Sequence, residues 1–184
     1  MNFIETLPNY AKDIKLNLSS ILMRNNTVLN DQQFYGTLVA TAMMCKNKML
    51  IKSIVELASE KISADEISAA KAASALMAMN NIYYRFTHLA SNQDYAKMPA
   101  NLRMSLIANP GIPKNDFELF SIAVSAINGC GKCIDAHEKV LLSHQVTKEM
   151  IQEVVRIAAI IHSVAMILET ENCCSNCSCG CGNT

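Results

Sequence analysis

Apolar residues return at three- and four-residue intervals through most of the long segments of this chain, the period of an amphipathic helix. Strand-like alternation is nearly absent. The residues that dominate, Ala, Leu, Met, Ile, Lys and Glu, favour helix over strand. The pattern predicts an all-α fold, with helices near 7–22, 31–46, 48–60, 64–80 with an extension to about 91, 99–107, 115–127, 131–144 and 147–170. Cap signals support several starts. Asn30 stands three residues before Gln33, Ser63 three before Glu66 and Asn115 three before Glu118, each at capping-box spacing, and Thr147 opens the last helix. Asn109-Pro110-Gly111-Ile112-Pro113 is a rigid break, and Asn128-Gly129 breaks the chain again.

An offset of 83 residues superposes two parts of the pattern. It sets Phe34, Val39 and Ala40 on Phe117, Ile122 and Ala123, then Glu66 on Glu149 and Ala75 on Ala158. Two degenerate helical repeats are therefore expected. The same offset sets Glu118, Cys130, Cys133 and His137 on Tyr35, Asn47, Leu50 and Ile54, none of which does acid-base or thiol chemistry there. The expected organisation is one helical domain over 1–171, with a scaffold half over about 1–98 and a redox-active half over about 99–171. A Cys-rich tail, expected to be disordered unless a metal folds it, follows over 172–184.

Composition narrows the function. The 184 residues are 51% hydrophobic, enough for one packed domain, and 16 basic residues balance 16 acidic ones. That balance speaks against a nucleic-acid partner, which would require a basic patch. The N-terminus shows no basic region followed by an apolar run, and no stretch approaches the roughly 18 apolar residues of a membrane span. The expectation is a cytoplasmic protein without membrane attachment.

The eight cysteines are not spread as a disulfide framework would be. Cys45 stands alone, Cys130 and Cys133 form a C-x-x-C pair, and Cys173, Cys174, Cys177, Cys179 and Cys181 crowd the tail. In a reducing compartment this reads as redox or metal chemistry. The helix after Asn128-Gly129 should start at or near Cys130. Both sulfurs then lie in its first turn, beside unpaired backbone N–H groups and the positive end of the helix dipole, which favours thiolate. Lys132 adds positive charge. Residues 130 and 133 are neighbours at i, i+3 and close a disulfide readily. His137, four residues after Cys133, shares its face and accepts its proton directly or through one water. Glu118 is the candidate partner of the imidazole, although its position three after Asn115 equally suits a helix cap. A zinc site of the usual kind would need a second ligand pair, which only the tail supplies.

Several stretches together resemble one family. They are Leu7-Pro8-Asn9-Tyr10-Ala11-Lys12-Asp13-Ile14-Lys15-Leu16-Asn17, Met79-Asn80-Asn81-Ile82-Tyr83-Tyr84-Arg85, Ile107-Ala108-Asn109-Pro110-Gly111-Ile112-Pro113-Lys114, Phe117-Glu118-Leu119, Ser125-Ala126-Ile127-Asn128-Gly129-Cys130, and Cys133 with Ala136-His137-Glu138. They resemble the alkyl hydroperoxidase AhpD family, in the carboxymuconolactone decarboxylase-like superfamily, over roughly residues 5–170. The resemblance implies an AhpD-like helical bundle, commonly a homotrimer, that reduces organic hydroperoxides. It further implies reduction of the disulfide of a partner peroxiredoxin, AhpC, with electrons arriving as dihydrolipoamide on a lipoyl-bearing dehydrogenase-complex subunit. No haem, flavin or metal is implied. Cys133 matches the peroxide-attacking cysteine, which passes through a sulfenic acid. Cys130 matches the resolving thiol, described as more exposed and as a proton donor. Glu118 and His137 match the proton relay.

Two departures stand out. The family often has His where this chain has Lys132, and lysine is a poor proton shuttle near neutral pH, so its expected role is electrostatic. The tail is outside the usual pattern and could bind a soft metal through its thiolates. The methionines Met43, Met44, Met49, Met77 and Met79 read as core packing. Cys45 reads as a small core residue. His88, His144 and His162 have no acid or thiol at catalytic spacing, and Tyr83, Tyr84 and Arg85 read as packing, with a subunit contact as the alternative. Other functions compatible with the sequence are a general thiol-disulfide reductase, a lactone decarboxylase-like enzyme and a thiol-rich metal-binding protein.

Overall fold

Side-chain caps fix where the main helices begin. Asn30 and Gln33 close a reciprocal capping box at the start of α2, and Ser63 and Glu66 do the same for α4. The structure, a computed structural model, describes residues 4, 5, 7–25 and 27–176, with 173–176 described by backbone alone. It holds a 3-10 turn at Asn9–Ala11, then α1 (Lys12–Met23), α2 (Asp31–Cys45), α3 (Lys48–Ser59) and α4 (Ala64–Leu89). A second 3-10 turn, Gln93–Lys97, leads to α5 (Ser105–Ala108), α6 (Lys114–Ile127), α7 (Gly131–Ser143) and α8 (Lys148–Asn176). The described residues contain no strand, so the all-α reading holds.

Helices α2 and α6 form the centre. Every residue from Phe34 to Ala42 and from Asp116 to Ser125 is buried, so neither helix has a solvent face over those stretches. Helices α4 and α8 pack against both, α3 lies on α2, and α7 lies across α6 and α4. The 83-residue offset maps α2 onto α6, α3 onto α7 and α4 onto α8, each start agreeing within one residue. Equivalent residues even meet: Gln33 Nε2 donates to Asp116 Oδ1 at 2.9 Å across the α2–α6 contact. Gly36 lets these helices approach closely, because a Cβ there would overlap the buried Phe120 ring.

Three features of the sequence reading need correction. The helix expected over 99–107 is only the four residues of α5, because Pro99 opens the segment and Asn101 takes a positive φ of 51°. The capping box expected at Asn115 and Glu118 does not form. Pro113 occupies the N-cap of α6 without a side-chain bond, and Glu118 turns inward. Helix α8 runs to Asn176 rather than to about 170, and one stretch of it within Lys148–Asn172 is apolar enough to cross a bilayer by length and composition. That stretch is 61% buried within the fold and packs on α1, α2 and α6, as a core helix does. The tail residues Cys177, Cys179 and Cys181 lie outside the described residues.

Candidate functional site

The site is built on the turn between α6 and α7. Gly129 takes φ +64°, the left-handed conformation that suits glycine. Its N–H donates to Ala126 O at 3.2 Å, while Cys130 N–H donates to Ser125 O at 3.2 Å, the two bonds of a Schellman close. Helix α4 pins this turn from the side. Asn81 Nδ2 donates to Ser125 Oγ at 2.9 Å, Asn128 Nδ2 donates to Asn81 Oδ1 at 2.9 Å, and the Arg85 guanidinium donates to Asn128 O. Arg85, read from the sequence as packing, thus holds the backbone that sets the next residue.

That residue is Cys130, the N-cap of α7, whose carbonyl accepts from Cys133 N at 3.0 Å and Ile134 N at 2.9 Å. Cys130 and Cys133 are joined in a disulfide with their Cα atoms 5.3 Å apart. Both sulfurs sit at the opening of α7, as the spacing required. The two differ in access, and against expectation. Cys130 is 0% exposed, whereas Cys133 is 6% exposed and lines a cavity of about 210 Å³. The resemblance made Cys130 the more exposed thiol. Here the pinned α6–α7 turn buries it, and the cavity reaches its partner instead.

The cavity wall carries the remaining chemistry. Besides Cys133 it consists of Met77, Asn80 and Tyr84 from α4, Met104 and Ile107 from the segment before α6, and Lys132, Ala136 and His137 from α7. His137 Nδ1 lies 2.6 Å from Glu118 Oε2, with both side chains largely buried. With Nδ1 donating to the carboxylate, Nε2 is the nitrogen left to accept a proton. Nε2 lies 3.3 Å from Met77 Sδ, a weak acceptor that does not compete strongly for it. Glu118 therefore orients the ring. The ambiguity at Glu118 resolves toward His137 rather than a helix cap. Lys132 Nζ stands 5.6 Å from the centre of the Tyr84 ring, a cation–π contact at the cavity edge.

Met77, Asn80, Tyr84, Met104 and Ile107 were not singled out as site residues. Their signal was weak: a methionine in an apolar helix reads as core, and nothing local shows that α4 faces α7. The Cys45–His162 contact was missed for the same reason, since it spans α2 and α8. Cys45 Sγ lies 3.7 Å from His162 Nδ1, but burial pushes the thiol up to about 11, which keeps it protonated near neutral pH. His144 Nδ1 lies 2.8 Å from Asn115 Oδ1 on the surface. Among the described residues, no group of three or more His, Cys, Asp or Glu side chains is placed to hold a metal ion.

Comparison with known proteins places the chain in a family. The model of the carboxymuconolactone decarboxylase family matches residues 93–169, a span that holds Glu118, Cys130, Cys133 and His137. An alkyl hydroperoxide reductase AhpD of Rhodopseudomonas palustris (strain BisA53) is 58% identical over 90% of each chain. The protein of the same name from Bradyrhizobium sp. (strain ORS 278) is 55% identical over 90% of each chain. That of Brucella canis is 56% identical over 89% of this chain and 92% of its own. With such identity along nearly its whole length, this chain belongs to the alkyl hydroperoxide reductase AhpD family of oxidoreductases.

Proposed function

We propose that this chain reduces organic hydroperoxides with Cys133 as the attacking sulfur and Cys130 as the resolving one. The observation that carries this reading is the cavity itself. It brings together Cys133, the one sulfur of the disulfide that lines it, and His137, whose other nitrogen is held by a buried carboxylate. In the reduced pair, the α7 opening stabilises the Cys133 thiolate, and His137 Nε2 takes the proton. The thiolate attacks the terminal oxygen of R–O–O–H. An S–O bond forms, the O–O bond breaks, and the alkoxide leaves with the proton from His137 as R–OH. Cys130 then condenses with the sulfenic acid, releasing water and forming the disulfide seen here.

Reduction reverses this by thiol exchange. A dithiol of the dihydrolipoamide kind attacks Cys133, the sulfur that lines the cavity, and Cys130 leaves as the thiolate at the start of α7; the donor's second thiol then displaces Cys133 from the mixed disulfide and closes the donor's own disulfide. The two sulfurs carry both electrons, so the cycle needs no bound cofactor. The same reduced pair would regenerate the peroxiredoxin AhpC by exchange with its disulfide, and a lipoyl-bearing dehydrogenase-complex subunit would supply the electrons in the cytoplasm. Lys132 contributes positive charge near the thiolate. For assembly the reading is a homotrimer. Ile82, Phe86 and Leu89 on the outer side of α4, with Tyr95 and Met98 after it, are exposed apolar residues of the kind that mark contacts between copies.

The test is hydroperoxide consumption with dihydrolipoamide as donor. Cys133→Ser should abolish turnover, and His137→Phe should lower it by roughly 10²-fold or more, the usual worth of a positioned acid-base group. Undiminished turnover in Cys133→Ser would end this reading.

A further inference from the structure

The cavity at Cys133 contains a polar group that the proposed cycle does not use. Asn80 stands on α4 between Met77 and Tyr84, at helical spacing that puts all three on one face, and all three line the cavity. Its side chain is buried, with the residue only 4% exposed, and its Oδ1 is closed off from solvent and has no hydrogen-bond partner among the described residues. The next residue is a sharp contrast, since Asn81 uses both ends of its amide to pin the α6–α7 turn. The walls around Asn80 are mostly apolar: Met77, Met104, Ile107 and Ala136.

An unpaired buried carbonyl is costly, so a site that keeps one calls for a reason. We infer that the Asn80 amide, turning about its Cβ–Cγ bond, is the polar anchor for the hydroperoxide head, its carbonyl then accepting the peroxide O–H while the apolar walls take the organic group. This deepens the peroxidase reading and rests on it. The anchored O–H belongs to the terminal oxygen, the atom that Cys133 attacks. Positioning it therefore fixes which oxygen goes to sulfur as S–O–H and which leaves as the alkoxide that His137 protonates. No atom is transferred to or from Asn80. A cavity of about 210 Å³ suits a hydroperoxide with a compact alkyl or aryl group.

Asn80→Leu separates this role from a structural one, because it keeps the size of the side chain and removes the unpaired carbonyl. The probe is tert-butyl hydroperoxide, with dihydrolipoamide as donor and thermal melting measured beside the kinetics. The expected result is a fall of about tenfold in kcat/KM, carried mainly by KM, with melting unchanged or higher. Asn80→Thr, which retains an oxygen acceptor, should fall between the two. Wild-type kcat/KM in Asn80→Leu overturns the inference. So does a loss of rate with lower melting in both variants, which would make the amide a structural group. A wild-type chain inert toward the hydroperoxide overturns the peroxidase reading itself, an outcome distinct from Asn80→Leu matching an active wild type.

Discussion

Glu118 illustrates how one side chain acquires a role from its distant neighbours. Its position in the sequence suited a capping box, but a Pro at the N-cap leaves no hydroxyl or amide there for it to answer. Released from that bond, it lies buried against His137 Nδ1 at 2.6 Å, where an Nδ1–H donating to it leaves Nε2 as the acceptor nitrogen. Asp116, two residues earlier on α6, is a buried acid with a different balance. Burial raises its pKa above the ordinary carboxylate value, the Gln33 amide at 2.9 Å opposes that rise, and Glu66 adds to it. A carboxyl whose folded pKa is raised binds its proton more tightly when folded. Its contribution to stability is therefore fully present below the unfolded value and is lost as pH rises through the folded one. Asp116→Asn keeps an acceptor for Gln33 and cannot ionise. It should melt at a higher temperature than wild type near neutral pH, with the gap narrowing as pH falls below the ordinary carboxylate range. A gap that is independent of pH would show that ionisation of Asp116 does not limit stability.

At the scale of the helices, close approach of α2 and α6 sets the distance between the two repeats. Gly36 packs against the ring of Phe120, which is itself buried in the core. Gly36→Ala should cost about 1–3 kcal/mol by overpacking, outweighing the better helix propensity of alanine. Chemical denaturation reads this directly, and a stabilised Gly36→Ala would show that the two helices can part. Much of the helix plan was legible because its causes are local. Asn30 with Gln33 and Ser63 with Glu66 announce their own boxes, and Asn128-Gly129 announces the turn before Cys130. The segment around 99–107 was less legible. Its apolar spacing resembles a helix, but only Ser105–Ala108 is helical, and Met104 and Ile107 wall a cavity from this short turn and the residue before it. The disulfide pair and His137 were legible because i, i+3 and i+4 neighbours are fixed by helix geometry alone. Asn80, Arg85 and Met77 were not, because their roles depend on where α4 lands against α6 and α7.

Over the whole molecule, the two repeats share a scaffold but not a site. The position equivalent to Cys130 is Asn47, which caps α3 by accepting from Leu50 N at 3.0 Å, and the position equivalent to Cys133 is Leu50 itself, fully buried. One half therefore uses its α3 opening to stabilise a helix, and the other holds a disulfide at the matching α7 opening. Ile82, Phe86 and Leu89 are exposed on α4, and in the proposed homotrimer copies of the chain would meet there. Sedimentation should find three copies per particle, and Phe86→Glu should shift the population toward single chains, since a charge on a desolvated contact is costly. A wild-type chain that sediments as a monomer would contradict the homotrimer.

The assignment of Cys133 as the sulfur that meets peroxide is the centre of this account, and trapping the sulfenic acid tests it most directly. Reduced Cys130→Ser and Cys133→Ser proteins would each be treated with tert-butyl hydroperoxide and dimedone, and the adduct located by peptide mass spectrometry. The account predicts a dimedone adduct on Cys133 in the first protein and none on Cys130 in the second. An adduct on Cys130, with Cys133 unlabelled, would contradict it.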